Sequence, residues 1–189
     1  VLVDAERGAM DGDDLLWLLS GARMGPVIGT VMSNGGLEAA LGGRLVRTPV
    51  GDQFVAEAMR HTGASVGAEP SGHVLFSDGL PTGDGLYSAL RVLLAVGDHR
   101  GRPQLPLPAG GWDRWPVCSL AVGFSGPRLD LGELQTTALA QAAGNRLVVR
   151  YSGTEAKLRV LVEGQGTGQG TPEVWAGRII EEFEERRGT

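Results

Sequence analysis

The chain has 189 residues, room for one large or two small domains, and 42% of them are apolar, which suits a globular protein and is too many for disorder. The net charge of −5 disfavours nucleic acid and anionic membranes as partners, because both need a positive field. The single cysteine, Cys118, cannot close an internal disulfide, so nothing points to an oxidising compartment. No secretory signal pattern opens the chain, and runs such as Leu15–Leu19 are too short to span a bilayer. The expected compartment is the cytoplasm.

Val1–Val3 reads as a strand fragment with no strand before it, so the chain reads as beginning in mid-domain. Gly8 marks a turn. Asp11-Gly12-Asp13 offers a helix start, with Asp14–Leu19 as the helix and Gly21 near its end. This aspartate cluster lacks the spaced carboxylates of a calcium loop and leads into an apolar helix, so no metal is assigned to it. Pro26–Met32 is a β-branched run that predicts a buried strand. Ser33 or Asn34 caps a helix to Leu41, and Arg44–Thr48 is a further strand. Asp52 is expected to cap a helix through about Arg60. After a loop come the strand Val74–Phe76 and a long helix opened by Asp84 and running to Val96. Alternating strands and helices of this length predict a parallel sheet covered by helices.

From Gly97 to Pro116 the pattern stops in a Gly- and Pro-rich stretch, which divides the chain into residues 1–97, a linker 98–115 and residues 116–189. The second part reads as a small α+β domain. Its elements are the strand Val117–Phe124, a helix Leu131–Ala143, strands Leu147–Tyr151 and Leu158–Glu163, and a closing helix from about Pro172 to Arg187. Thr171 should cap that last helix, with Val174, Ile179, Ile180 and Phe183 as its buried face. Cys118 sits in an apolar run and reads as a core residue.

Glycine is the compositional outlier, with 31 residues gathered in short polar clusters between apolar runs, the layout of functional loops. In Arg150-Tyr151-Ser152-Gly153-Thr154-Glu155, small residues free backbone N–H groups to converge, Ser152 and Thr154 add hydroxyls, and Arg150 supplies a planar cation. These are the parts of a phosphate site, although a hairpin turn with an incidental arginine has the same pattern. Glu69-Pro70-Ser71-Gly72-His73 places a carboxylate, a hydroxyl and an imidazole within five residues, a set suited to sugar hydroxyls, although a polar turn before a strand has the same pattern. Thr82-Gly83-Asp84-Gly85 and Val50-Gly51-Asp52 both open helices. The second of these would place Asp52 at the mouth of the sheet, where open α/β folds bind ligands. Three histidines and one cysteine give no zinc-type spacing.

Taken together and in this order, the loops resemble those of the α-D-phosphohexomutase family. Glu69–His73 resembles its G-E-x-S-G-H sugar loop and Arg150–Glu155 its R-P-S-G-T-E-P phosphate loop. Ile28–Asn34 followed by Gly36–Glu38, Val50–Asp52 and Thr82–Gly85 resemble the branch of the family that works on glucosamine phosphates. The resemblance implies a partial three-layer αβα sandwich, domain three of four, followed by a small α+β (TBP-like) domain four. It implies an enzyme that interconverts glucosamine 6-phosphate and 1-phosphate through a phosphoserine and a bisphosphorylated sugar. The serine and an aspartate-rich loop for Mg2+ would lie upstream of Val1, leaving this chain without catalytic residues or a bound metal and inactive alone. Carried over by position, Glu69, Ser71, His73 and Asp52 would meet the sugar. Arg150, Ser152, Gly153 and Thr154 would hold the phosphate that is not reacting, with Arg159 as a second cation. The implied partners are the hexosamine phosphate substrate, the missing N-terminal domains and a second copy in a homodimer, with no nucleic acid and no membrane. Alternatives are the branches acting on mannose or glucose phosphates, or a non-catalytic sugar-phosphate-binding protein. Ala68 stands where the family has glycine and Gln53 where this branch has arginine. Tyr151 and Ala156 replace the two prolines of the phosphate loop, which predicts a looser loop.

Overall fold

The computed structural model describes residues 2–4, 8–21, 25–97, 111–132, 134–135, 145–164 and 170–188. They form two compact units, 1–114 and 115–189.

In the first unit β1 (Leu2–Asp4) and β2 (Gly8–Met10) make an antiparallel pair. Gly8 was expected in a turn. It adopts φ +75° but is already the first residue of β2, a strand too short to leave a hydrophobic pattern. The unit continues with α1 (Gly12–Ser20), β3 (Val27–Thr30), α2 (Gly35–Ala40), β4 (Leu45–Thr48), α3 (Asp52–Thr62), β5 (Val66–Ala68), β6 (Val74–Phe76) and α4 (Gly85–Val96). The α1 start is a complete capping box. The Asp11 carboxylate accepts from the Asp13 and Asp14 N–H groups, and Asp14 returns a bond to the Asp11 N–H.

The sheet order is β4-β3-β5-β6. β4 and β5 run parallel to β3, but β6 is antiparallel to β5, so the expected parallel sheet is mixed. The reason is β5, absent from the sequence reading. Its middle residue is glycine, and a Cβ on Gly67 would lie 2.6 Å from Val55 Cγ1 and 3.0 Å from Met59 Sδ. Glycine lets α3 close onto the strand and removes the apolar signal that would have revealed it. The short loop from β5 then makes a hairpin to β6.

Alternating side chains place the helices on two faces. Val27, Val66, Val74 and Phe76 pack with Leu15, Leu16 and Leu18 of α1, Leu37 of α2 and Val92 of α4. Ile28 and Leu75 pack with Val55 and Met59 of α3 on the other face. The result is the expected α/β three-layer arrangement.

The second unit is an antiparallel sheet, β7 (Val117–Gly123), β8 (Arg146–Tyr151) and β9 (Lys157–Glu163), in the order β7-β9-β8, with α5 (Pro172–Gly188) packed against it. Leu158, Val160 and Val162 alternate into a core with Val149, Trp175, Ala176, Ile179 and Phe183. Val174 was expected on the buried face of α5 but is 45% exposed. Helical spacing from Phe183 back through Ile179 reaches Trp175 and Ala176 instead. Cys118 is buried in this core, and burial pushes its thiol pKa up. In the expected helix Leu131–Ala143, residues 132, 134 and 135 are helical, while residues 136–143 and most of the expected linker 98–115 lie outside the described residues.

Candidate functional site

Three loops of the first unit meet at the carboxyl ends of the parallel strands. β4 ends at Thr48 and leads to Gly51-Asp52, while β5 ends at Ala68 and leads to Glu69. The loop Glu69–His73 is closed by two backbone bonds, Glu69 N–H to His73 O and Gly72 N–H to Glu69 O, both 2.9 Å. Gly72 turns the chain at φ +99°, a conformation that favours glycine.

Glu69 is buried, and each of its carboxylate oxygens has a partner. Oε1 accepts from the Gly51 N–H at 2.9 Å, and Oε2 lies 3.2 Å from His73 Nδ1. Glu69 therefore ties the Gly51-Asp52 loop to its own loop and orients the His73 ring, in addition to offering its remaining lone pairs. Ser71 and His73 are exposed at the loop surface. With the Nδ1 proton directed at Glu69, Nε2 of His73 is left to meet a ligand.

Asp52 was expected to cap α3. Gly51 occupies the cap position with no side-chain bond, and Asp52 is the first helical residue. Its Oδ2 accepts instead from Thr82 Oγ1 at 3.2 Å, which draws the Thr82–Gly85 loop into the group. Asp84 does cap its helix, accepting from the Tyr87 N–H at 3.0 Å. Gly83 lies against His73, since a Cβ there would sit 3.5 Å from His73 Cδ2.

The start of α1, set aside in the sequence as a plain helix start, supports this site. The Gly12 N–H donates to Pro70 O at 3.3 Å. A Cβ on Gly12 would lie 1.8 Å from Glu69 O. Asp13 is buried and accepts from the Asn34 N–H at 2.7 Å, joining the starts of α1 and α2. Burial raises its pKa to about 6, against the Asn34 bond that lowers it. The only sequence signal was a glycine in a first helical turn that no turn geometry required.

The second unit carries the other loop. Arg150 and Arg159 stand directly opposite each other on β8 and β9. Alternation puts both on the face opposite Leu158 and Val160. Burial and then the Arg159 charge lower the Arg150 pKa, and Arg150 Nε is buried with no hydrogen-bond partner among the described residues. Two adjacent arginines repel one another, and a bound anion would offset that. Glu155 holds Lys157 Nζ at 2.8 Å and Arg159 Nη2 at 3.1 Å, which lowers its own pKa. Ser152 is buried, but its N–H donates to Lys157 O, so this N–H is spent within the turn. Gly153 and Thr154 lie exposed at the tip. Gly153 has no positive φ, and a Cβ there would meet nothing within 4 Å. The chain's own packing does not demand glycine here. What its absent side chain leaves is open approach to the backbone.

Residues 11–105 match the family description "Phosphoglucomutase/phosphomannomutase, alpha/beta/alpha domain III". The chain belongs to the phosphoglucomutase/phosphomannomutase family. Residues 138–175 match that family's C-terminal domain. Among curated relatives of this chain, phosphoglucosamine mutase of Anaeromyxobacter sp. (strain Fw109-5) is 42% identical over 180 residues, spanning 87% of this chain and 38% of the relative. That of Alkalilimnicola ehrlichii is 40% identical, spanning 96% of this chain and 44% of the relative. The chain thus spans well under half the length of these relatives. An Aspergillus fumigatus N-acetylphosphoglucosamine mutase structure superposes with a TM-score of 0.72 at 20% identity, covering 93% of this chain and 43% of that one. Another structure from that organism, in complex with GlcNAc-6P and magnesium, gives 0.67 at 19% identity, over 89% of this chain and 46% of that one. At these identities the structures establish the fold.

Magnesium in that relative raises the question of a site here. Among the described residues no three His, Cys, Asp or Glu side chains are placed to hold a metal ion. Asp11 and Asp14 pair with Arg114, and Asp13 bonds Asn34. The donor set of the described residues does not fit magnesium.

Proposed function

We propose that this chain is the sugar- and phosphate-binding part of a phosphoglucosamine mutase, interconverting glucosamine 6-phosphate and glucosamine 1-phosphate. The observation that carries the reading is the identity of about 40% to phosphoglucosamine mutases over most of this chain, a stretch that includes both loops. Residues 1–97 correspond to the third domain, 98–115 to a linker and 116–189 to the fourth. Ser71, His73 and Asp52, with Glu69 behind them, bind and orient the sugar. Arg150, Arg159, Ser152, Gly153 and Thr154 hold the phosphate that is not transferred. Binding energy at that remote phosphate positions the reacting end of the sugar. The phosphoserine and the ligands for Mg2+ belong to N-terminal domains outside this chain. A cytoplasmic location and a homodimeric assembly complete the proposal, and no described helix is long and apolar enough to cross a membrane.

The test is turnover of the 6-phosphates of glucosamine, mannose and glucose by the full-length protein that carries these residues. Preference for glucosamine is expected, and preference for either hexose would reassign the chain to that branch. The 189-residue chain alone is expected to show no turnover with Mg2+ present. In the full-length protein Arg150→Ala should raise KM and lower kcat/KM by ~10- to 150-fold, the loss of a charge-assisted contact of ~1.5–3 kcal/mol. An unchanged kcat/KM would show that this arginine does not touch substrate.

A further inference from the structure

The loop Arg150–Glu155 is fastened from behind by side chains with no role so far. Alternation along β8 turns Tyr151 to the side opposite Arg150, towards α5. Its ring centroid lies 5.2 Å from Phe124 and 6.4 Å from Phe183. The Tyr151 hydroxyl donates to Leu129 O at 3.0 Å and accepts from the Leu129 N–H at 2.8 Å. Arg128 stacks on the same ring at 5.1 Å and donates from Nη2 to Ser152 O at 3.2 Å. At the end of α5, Arg187 donates to the carbonyls of Ser125 and Pro127. Segment 125–129 is therefore pinned to α5 on one side and to Tyr151 and Ser152 of the loop on the other.

These contacts oppose, at Tyr151, the looser loop that the loss of a proline predicts. Ser152 and Lys157 are hydrogen-bonded across the sheet. The Tyr151–Leu158 pair is then of the other kind, and the Tyr151 N–H points away from β9 towards the edge of β8 on which no described strand pairs. A proline fits such a position without loss of a ladder bond, and it stiffens the loop by fixing φ. Tyrosine leaves φ free and stiffens the loop by anchorage instead.

We infer that Tyr151, with Arg128, is a positioning residue that holds Ser152–Thr154 in their anion-binding arrangement, replacing a proline by two hydroxyl bonds and one guanidinium bond. The inference rests on the reading that this loop binds the substrate phosphate. Its test is steady-state kinetics with glucosamine 6-phosphate on the full-length protein and its Tyr151→Phe, Tyr151→Pro and Arg150→Ala variants, with melting temperatures alongside. Phenylalanine keeps the ring packing and removes only the hydroxyl. It should raise KM about 5- to 10-fold, the cost of about one or two hydrogen bonds that order the loop. Tyr151→Pro should recover much of that KM despite losing the ring and with it some melting temperature. A merely structural tyrosine would show the reverse: a lower melting temperature in Tyr151→Phe with KM within twofold of wild type, which overturns the inference. So does a Tyr151→Pro protein that folds and binds no better than Tyr151→Phe. If it does not fold, the Tyr151→Phe measurement decides. If Arg150→Ala also leaves KM unchanged, the phosphate reading itself fails and the inference with it.

Discussion

Gly12→Ala is expected to destabilise the first unit by about 3 kcal/mol and to weaken sugar binding, although the same change at an ordinary helix position would gain up to about 1 kcal/mol. The added Cβ would lie 1.8 Å from Glu69 O, 2.8 Å from Glu69 C and 3.2 Å from Gly72 N. All three are backbone atoms, so no side chain can swing aside. Either α1 or the loop must move by more than an ångström. Movement of α1 opens the packing of Leu15, Leu16 and Leu18, while movement of the loop breaks the Gly12–Pro70 bond and disturbs the Glu69 carboxylate that holds Gly51 and His73. Thermal unfolding should show a drop of roughly 10–15 °C in the transition of this unit. An alanine variant as stable as wild type would mean that α1 and the sugar loop are not in contact.

Asp13 should impose an unusual pH dependence on stability. Its folded pKa of about 6 lies above the ordinary 3.8, so the folded chain binds the proton more tightly than the unfolded chain does. Between these values the native state carries a proton that the unfolded state has lost, and stability falls as pH rises. Above the folded pKa the buried carboxylate costs its full amount, about 3 kcal/mol. Below the unfolded value it costs nothing. Asp13→Asn keeps an oxygen to accept from the Asn34 N–H and removes the charge. Denaturant unfolding of both proteins from pH 4 to pH 7.5 should show the variant gaining on wild type by about 2.5 kcal/mol across that window. Parallel stability curves would place the Asp13 carboxylate in an ordinary, solvated setting.

Short-range chemistry made much of this chain readable. Asp11, Asn34 and Asp84 are caps because an aspartate or asparagine before an apolar helix satisfies its first N–H groups wherever it stands. β8 and β9 were visible as short apolar runs. The two loops were visible as residue sets that anion and sugar chemistry need. Where the reading failed, a distant partner set the outcome. Asp52 has the composition of a cap but is bonded by Thr82, thirty positions away. Val174 yields the buried face of α5 to Trp175 and Ala176 because the sheet selects the stripe. β5 was hidden because its central glycine serves the packing of Val55 and Met59 and not its own strand pattern.

The sequence alone determined the family, the layered α/β unit followed by an α+β unit, and which residues could meet a sugar phosphate. The layers rest on local propensity, the family on the resemblance of its loop motifs and the site residues on side-chain chemistry, all present before folding. Only the tertiary structure decided what holds those residues in place. Glu69 is tied to Gly51 and His73, Gly12 lets α1 touch the loop Glu69–His73, and Tyr151 is bonded to Leu129 behind the loop Arg150–Glu155. Apart from the Glu69–His73 pair, each joins residues eighteen or more positions apart. Such contacts carry no sequence signature, because the partner's position is fixed by packing and not by spacing along the chain.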